Sequence, residues 1–321
     1  MDVPVEVLDE LRTALDLEAV GWLRQAEVAL RRDYDFPDHK GRPGEVGGSL
    51  PRDAGEGPSD KGKLDKPSSS YTPSYPAGRD TKDRFSDGRG NYTSERRQLH
   101  KTIMEKYLVG TTPVDAPVAT IIGGGMGAGK STLVESEGLI QANTVEVNVD
   151  KIRTELPELR EALAGLSEGA QGVSVAETHE EASDISRALL VRAAASKRNV
   201  VLDGTGDTTL RKLGGKVAEL RAAGHRVVAT YVTTSVAIAQ ARADKRAQTT
   251  DRRFAPPTAL REIHKAVSGI LPEAIKQGLF DEVKLWDTSL DFKPRLVMTA
   301  KGTNVTVLDK GLWDEFLAKA A

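Results

Sequence analysis

The chain has 321 residues, is 39% hydrophobic and carries a formal net charge of −2. That length accommodates one large domain or about two ordinary ones. Near-neutrality gives no global pull toward nucleic acid or an anionic membrane, while a local basic groove stays compatible with it, so nucleic acid remains open as a partner. Cysteine is absent, which excludes disulfides, Cys-based zinc sites and a cysteine nucleophile, and accords with a reducing compartment. The first residues carry Asp2, Glu6, Asp9 and Glu10 and lack the basic-then-apolar order of a signal peptide. No apolar run approaches the roughly 20 residues that span a bilayer. The expectation is a soluble, cytoplasmic protein without a membrane partner.

Residues 5–33 are predicted helical, because Leu8, Leu11, Leu15, Val20 and Leu23 form a partly regular apolar stripe among charges. Such a stripe suits a surface or oligomerisation helix, and residues 1–36 are taken as one N-terminal unit. Residues 37–93 differ. Pro37, Pro43, Pro51, Pro58, Pro67, Pro73 and Pro76 punctuate a stretch rich in Gly, Ser, Asp and Lys, with too few apolar groups to offset the entropy of ordering it. A flexible linker is expected there. Inside it, the segment from Asp38 through Gly41, Gly44, Gly47 and Gly48 to Pro51 resembles a short glycine-rich segment of phage head-morphogenesis proteins. Residues 94–108 read as a connecting helix capped by Ser94, with Ile103, Met104, Tyr107 and Leu108 as its apolar contacts. The connecting unit extends to residue 116.

From Pro117 the pattern becomes α/β. Strands are predicted at Val118–Ile122, Val145–Val149, Val200–Leu202, Arg226–Val232 and Val283–Trp286. Helical stretches separate them, at Lys130–Glu137, Lys151–Ala164, Val175–Ser196, Thr208–Ala223, Ser235–Ala247 and Thr258–Gln277. Alternation of this kind implies a parallel sheet covered by helices on both faces, with ligands at the carboxyl ends of the strands. This α/β domain is bounded at 117–290. Beyond it, Arg295–Thr299 and Asn304–Leu308 around Gly302 read as a hairpin at a sheet edge, followed by a helix with Leu312, Trp313, Phe316 and Leu317.

The chemistry concentrates at strand ends. Gly124-Gly125-Met126-Gly127-Ala128-Gly129-Lys130-Ser131 follows a predicted strand and opens a predicted helix, the context that a phosphate-binding P-loop requires. Its glycines let backbone N–H groups wrap phosphates. Gly125 to Ser131, with Thr132, are the candidate nucleotide contacts. Lys130 is expected on the β- and γ-phosphates and Ser131 on Mg²⁺. Asp150, at the end of the second predicted strand, is a candidate general base, or a helix cap, or both. Arg153, three residues on, is a candidate substrate contact. Asp203 closes Val200-Val201-Leu202 as a Walker-B carboxylate does and is a second candidate for Mg²⁺. Thr205 in the Gly204-Thr205-Gly206 turn is a candidate substrate contact. Arg242, Arg246, Arg252 and Arg253 precede Pro256-Pro257 and suit a cap over phosphates, since guanidinium groups match them bidentately.

Taken in order and spacing over residues 117–290, these pieces resemble the zeta-toxin family of P-loop kinases. The pieces include the helix around Thr178-His179-Glu180-Glu181-Ala182-Ser183 and the helix from Thr258. The resemblance implies a P-loop kinase fold, use of ATP or GTP with Mg²⁺, and phosphate transfer to a hydroxyl of UDP-N-acetylglucosamine, with an antitoxin protein as a partner. It implies that Lys130 binds phosphate and Asp150 is the base. Thr205 would contact the sugar nucleotide, and Arg242 or Arg246 with Arg253 would stabilise the transferred phosphate. An acidic substrate contact is also implied; Glu180, Glu181 and Asp184 compete for it, and Glu181 is the candidate chosen. Asp207 stands where the family often has arginine, which leaves the acceptor open. A kinase for polynucleotide 5′-hydroxyls or another small molecule is the alternative enzyme reading. A phage-related interaction protein carrying a nucleotide-binding domain is the non-enzyme one.

Overall fold

The computed structural model describes residues 80–87, 91–164, 176–204, 209–247, 257–290 and 293–320. The predicted helix at 5–33, the linker up to residue 79 and the glycine-rich segment at 38–51 lie outside the described residues, as do Thr205, Asp207, Arg252 and Arg253.

Runs of β-branched and aliphatic residues with little alternation form the central strands, which are largely buried on both faces, while strands farther out alternate. β1 (Val118–Gly124), β2 (Thr144–Asn148), β3 (Asn199–Asp203), β4 (Arg226–Thr233) and β5 (Glu282–Asp287) are parallel to one another. β6 (Arg295–Lys301) and β7 (Asn304–Val307) continue the sheet antiparallel beyond β5, turning at Gly302 with φ 53°. The seven strands run in the order β2-β3-β1-β4-β5-β6-β7. The hairpin expected near the C-terminus is present and β7 forms the sheet edge. Ile122, Val145, Val147, Val227 and Leu285 are fully buried, each contributing about 1.5–3 kcal/mol relative to exposure.

The helices are α1 (Thr81–Phe85), α2 (Ser94–Leu108), α3 (Lys130–Ser136), α4 (Val149–Thr154), α5 (Pro157–Ala164), α6 (His179–Ala195), α7 (Leu210–Ala222), α8 (Val236–Ala247), α9 (Pro257–Lys276) and α10 (Lys310–Ala318). α6 packs on β2 and β3, α7 on β4, and α9 on β1 and α8. Two expectations shift. α2 is capped by Thr93, whose Oγ1 accepts from Arg96 N at 3.3 Å, rather than by Ser94. The single helix expected over 151–164 is two, because Pro157 cannot donate to the preceding turn and instead opens α5.

The expected linker also stops short of residue 93. α1 and the bridge between Ser86 and Tyr92 are ordered against α6. Arg96 is the reason. Its Nε and Nη2 donate to Glu181 at 2.5 and 2.8 Å, and its Nη1 and Nη2 donate to Glu158 at 2.9 and 2.8 Å. The guanidinium lies 4.1 Å from the centre of the Phe85 ring. Lys82 pairs with Asp184 at 2.9 Å, and Tyr92 Oη donates to the same carboxylate at 2.7 Å. A segment poor in apolar residues is thus fastened by charge and one aromatic face, a device that composition does not reveal.

The strand order also fixes where a ligand goes. From β1 the chain crosses to β2 and returns to β3 on one side, then passes to β4 and β5 on the other. Connections therefore diverge at the carboxyl end of β1, the topological switch point where α/β sheets open a crevice.

Candidate functional site

The crevice at that switch point is floored by the loop between Gly124 and Lys130. Gly127 and Gly129 have φ 71° and 86°, a left-handed region that side chains disfavour. Close packing adds to the demand: a Cβ on Gly127 would lie 2.2 Å from Ala239 O in α8. Gly129 is the N-cap of α3 and supplies no side-chain cap, so the helix begins with N–H groups available to an anion. Lys130 Nζ donates to Gly124 O at 2.9 Å and to Gly125 O at 3.3 Å. Its charge thus sits over the loop. Ser131 is exposed and Thr132 half-buried in the first turn of α3.

The neighbouring strand ends bring carboxylates to the same edge. In the sheet register Asp203 of β3 lies beside Ile122 of β1 on one side and Asn148 of β2 on the other. Asn148 Nδ2 donates to Asp203 Oδ2 at 2.8 Å. Burial raises the Asp203 pKa above the usual carboxylate value; Lys130 opposes the rise, and Glu146 and Asp150 add to it. Asp150 is in the first turn of α4 and not at the end of β2. The capping role considered for it belongs to Asn148, whose Oδ1 accepts from Asp150 N at 2.9 Å and Lys151 N at 3.2 Å. The Asp150 side chain is 52% exposed, and its Oδ1 is 3.3 Å from Arg153 Nη1. Arg153 is buried, and its Nη2 lies 2.8 Å from His179 Nδ1 at the start of α6.

The remaining candidates divide. Arg242 and Arg246 are one turn apart on α8. Arg242 does not lie open to the crevice: its Nη1 donates to Thr288 Oγ1 at 3.0 Å and its Nη2 to Thr288 O at 2.7 Å. Thr288 Oγ1 in turn donates to Ala128 O at 2.6 Å. In this arrangement Arg242 braces the loop. Glu181 is corrected as well. It is fully buried, and beside Arg96 it receives His100 Nε2 at 2.6 Å. Although burial opposes ionisation, His100, Arg96 and Thr81 together hold its pKa at about 2. Its oxygens are committed inside the fold, which removes it from the groups open to a substrate. Of its competitors, Glu180 is exposed and Asp184 is engaged by Lys82 and Tyr92. Thr205 and Arg253 lie outside the described residues.

Sequence reasoning passed over Asn148, His179, His264, Thr288 and Lys319. Thr288 carried the available signal, since it follows Asp287 at a strand end as the other site residues do. Lys319, just past α10, donates to Thr233 Oγ1 at 2.5 Å and Thr234 O at 2.6 Å, and burial lowers its pKa to about 8. His264 in α9 lies with Nε2 2.9 Å from Met126 O.

A nucleotide triphosphate fits this arrangement: the loop has no room for side chains at its glycines, a lysine lies over it, and it opens a helix. A divalent cation fits by its oxygen donors, the Ser131 hydroxyl and the Asp203 carboxylate. Among the described residues no group of three or more His, Asp or Glu is gathered to hold a metal. Mg²⁺ characteristically completes its shell with phosphates and water.

A family model described as zeta toxin matches residues 104–290, more than half of the chain. A crystal structure of AvrRxo1-ORF1:AvrRxo1-ORF2 with sulphate ions superposes with a TM-score of 0.61 at 14% identity, covering 75% of this chain and 83% of that one. The same complex with ATP gives a TM-score of 0.59 at 15% identity, covering 78% and 80%. A structure from the PezAT toxin-antitoxin system of Streptococcus pneumoniae gives 0.52 at 18% identity, covering 70% and 88%. At these identities the likeness establishes the shared α/β fold of P-loop kinases. In sequence, the calmodulin calcium-dependent NAD kinase of Arabidopsis thaliana is 34% identical over 97 residues, 28% of this chain. The match spans only 18% of that protein's length.

Proposed function

The chain belongs to the zeta toxin family, and from that premise we propose that it is a kinase that moves the γ-phosphate of ATP, or of GTP, to a hydroxyl of a nucleotide-linked sugar. The observation that carries the reading is the convergence of the phosphate loop, Lys130, Asp203 and Asp150 at the carboxyl ends of β1, β2 and β3.

In this reading Gly125 to Thr132 hold the triphosphate, with Lys130 leaving its loop carbonyls for the phosphate oxygens. Ser131 and Asp203 would hold Mg²⁺, which supplies charge neutralisation at the β- and γ-phosphates. Asp150 is the general base: its exposed carboxylate takes the acceptor's hydroxyl proton as the acceptor oxygen forms its bond to the γ-phosphorus. The bond from that phosphorus to the ADP oxygen breaks, and ADP leaves with the electron pair. Arg153 orients Asp150 through their ion pair. Arg246 and Arg253 are proposed on the phosphates and Thr205 on the acceptor.

Two acceptors are supported by separate considerations. A UDP-sugar such as UDP-N-acetylglucosamine follows from the resemblance of the motif order. NAD is supported by the 34% identity to a plant NAD kinase. Both present a sugar hydroxyl beside a diphosphate, so one site chemistry serves either. An antitoxin partner is part of the proposal, supported by the toxin-antitoxin system named for one structural neighbour; a cytoplasmic location is proposed with it, in keeping with the absence of cysteine.

Transfer of labelled phosphate from ATP to a panel of UDP-sugars, NAD, RNA 5′-ends and aminoglycosides tests the reading. Transfer to a UDP-sugar or NAD, lost in Asp150→Ala and Lys130→Ala, supports it. Transfer confined to RNA ends, or retained in both variants, overturns it. Growth arrest on expression that persists in Lys130→Ala would assign toxicity to something other than nucleotide chemistry.

A further inference from the structure

The peptide unit is planar and trans, so its C=O and N–H point in opposite directions. Whatever ties down the carbonyl of one residue therefore aims the N–H of the next. In the phosphate loop the carbonyls of Gly124, Gly125, Met126 and Ala128 are each tied. Lys130 Nζ takes Gly124 O and Gly125 O, and the Gly125 carbonyl also accepts from Ala128 N at 3.2 Å. Thr288 Oγ1 takes Ala128 O at 2.6 Å, which aims the Gly129 amide. Between these, Met126 O is 2.9 Å from His264 Nε2.

His264 is only 3% exposed and belongs to α9, far along the chain from the loop. A carbonyl only accepts, so Nε2 must carry the proton. The fit is close enough that a Cβ on Gly125 would come within 2.3 Å of the imidazole ring. Burial lowers the His264 pKa, and the charges of Lys319 and Lys130 add to that; the Met126 carbonyl opposes it. The ring is thus a neutral donor behind the loop. The charged groups facing it are Lys130 from the loop and Lys319 from the C-terminal end of the chain.

We propose that His264 is a positioning residue for the nucleotide: by holding the Met126 carbonyl back, it turns the Gly127 amide toward the phosphates. This rests on the nucleotide-binding reading above. The ligand is the polyphosphate of a nucleoside triphosphate, and His264 acts on it only through the Met126–Gly127 peptide. Fixing that peptide before the ligand arrives removes an ordering cost that binding would otherwise carry. Lys130 is redeployed when phosphate binds, whereas His264 and Thr288 keep their carbonyls and preserve the loop's shape.

Titration calorimetry with Mg–ATP on the full chain tests it, using His264→Gln, His264→Asn and His264→Leu. Gln keeps an N–H donor at nearly the reach of Nε2; Asn has the same chemistry but is too short; Leu has the bulk without the donor. The expected result is a Kd near that of the parent chain for Gln and one weakened about tenfold for Asn and Leu, the scale of one hydrogen bond. In kinetics the change should fall on KM for ATP, with KM for the acceptor unchanged. Equal Kd for Gln and Asn overturns the proposal. In the unsubstituted chain, the Gly127 amide resonance must shift on adding Mg–ATP. If ATP binds and that amide stays unmoved, the proposal fails whatever the variants do. If the unsubstituted chain binds no Mg–ATP, the nucleotide-binding reading itself fails, and the proposal with it.

Discussion

Arg153 donates through Nη2 to His179 Nδ1 across 2.8 Å. Guanidinium has no lone pair to offer, so Nδ1 is the acceptor, the imidazole is neutral and its proton resides on Nε2. Partial desolvation and the Arg153 charge both push the pKa of His179, itself solvent-exposed at the start of α6, below 6.5. Since Arg153 also pairs with Asp150 at 3.3 Å, the side chain proposed as base and a tautomer-fixed imidazole share one buried cation.

Nitrogen-15 spectra of the histidine rings report this directly. At pH 7 His179 is expected as the Nε2–H tautomer, with a titration midpoint below 6.5. Arg153→Gln should move that midpoint upward, because it removes the charge that opposes protonation. A midpoint unchanged by the substitution would show that Arg153 does not act on the ring.

Acid should destabilise the fold in two stages. His179 and His264 both have pKa values below the ordinary 6.5, so the unfolded chain takes up their protons first. Their contribution is complete above about 6.5 and fades as pH falls below it toward the folded-state values. Glu181 is held at about 2 against an ordinary 4.5, so its contribution is complete above 4.5 and fades between there and about 2. Melting temperature measured against pH should show both limbs. Glu181→Gln should flatten the lower one and leave the upper.

Arg96 serves two carboxylates, Glu181 with a fully buried side chain and Glu158 with one 16% exposed. Arg96→Met would leave both without that cation, and Glu181 has no route to water. A loss of about 3–5 kcal/mol is expected, measured by urea denaturation. Arg96→Lys should lose a smaller amount, since it keeps the charge but not the double fork.

Asp203 is ionised at a cost, since burial raises its pKa. Asp203→Asn should leave the nucleotide-free protein as stable as before or slightly more so. Phosphate transfer should fall by two orders of magnitude or more, because an amide is a poor substitute for a carboxylate at Mg²⁺, whose charge stabilisation is worth several kcal/mol. Melting temperature and transfer rate moving in opposite directions would identify a residue kept for function.

Among the described residues, Arg242 reaches the loop through Thr288. Thr288→Val and Arg242→Ala should each weaken Mg–ATP binding. The double variant should be scarcely worse than the more affected single one, with an interaction energy of about 0.5–3 kcal/mol. Additive effects would indicate that Arg242 acts on the nucleotide by another route.

Much of the α/β core was legible because strand and helix periods differ and glycines mark strand ends; β1 through β7 appear where the apolar runs predicted them, within two residues at either end. The phosphate loop was legible because its chemistry needs a fixed local spacing. What escaped depends on contacts between distant segments. Glu181 read as an acidic substrate contact, whereas its partner in the fold, Arg96, is 85 residues away. His264 sits among ordinary helical residues and acquires meaning only where α9 passes the loop, 138 residues from Met126. The cap considered at Asp150 lies two residues earlier, because Asn148 takes that position and carries Asp150 into the first turn of α4.

The snug seating of Gly127 under Ala239 has a mechanical consequence. α8 carries Arg242 and Arg246, and its backbone rests against the loop with no clearance for even a methyl group. The helix and the loop are therefore seated backbone against backbone at Gly127 and Ala239, and neither can shift toward the other. A bulkier residue at 127 would have to force the loop and α8 apart, disturbing the phosphate loop and the helix that bears the two arginines together.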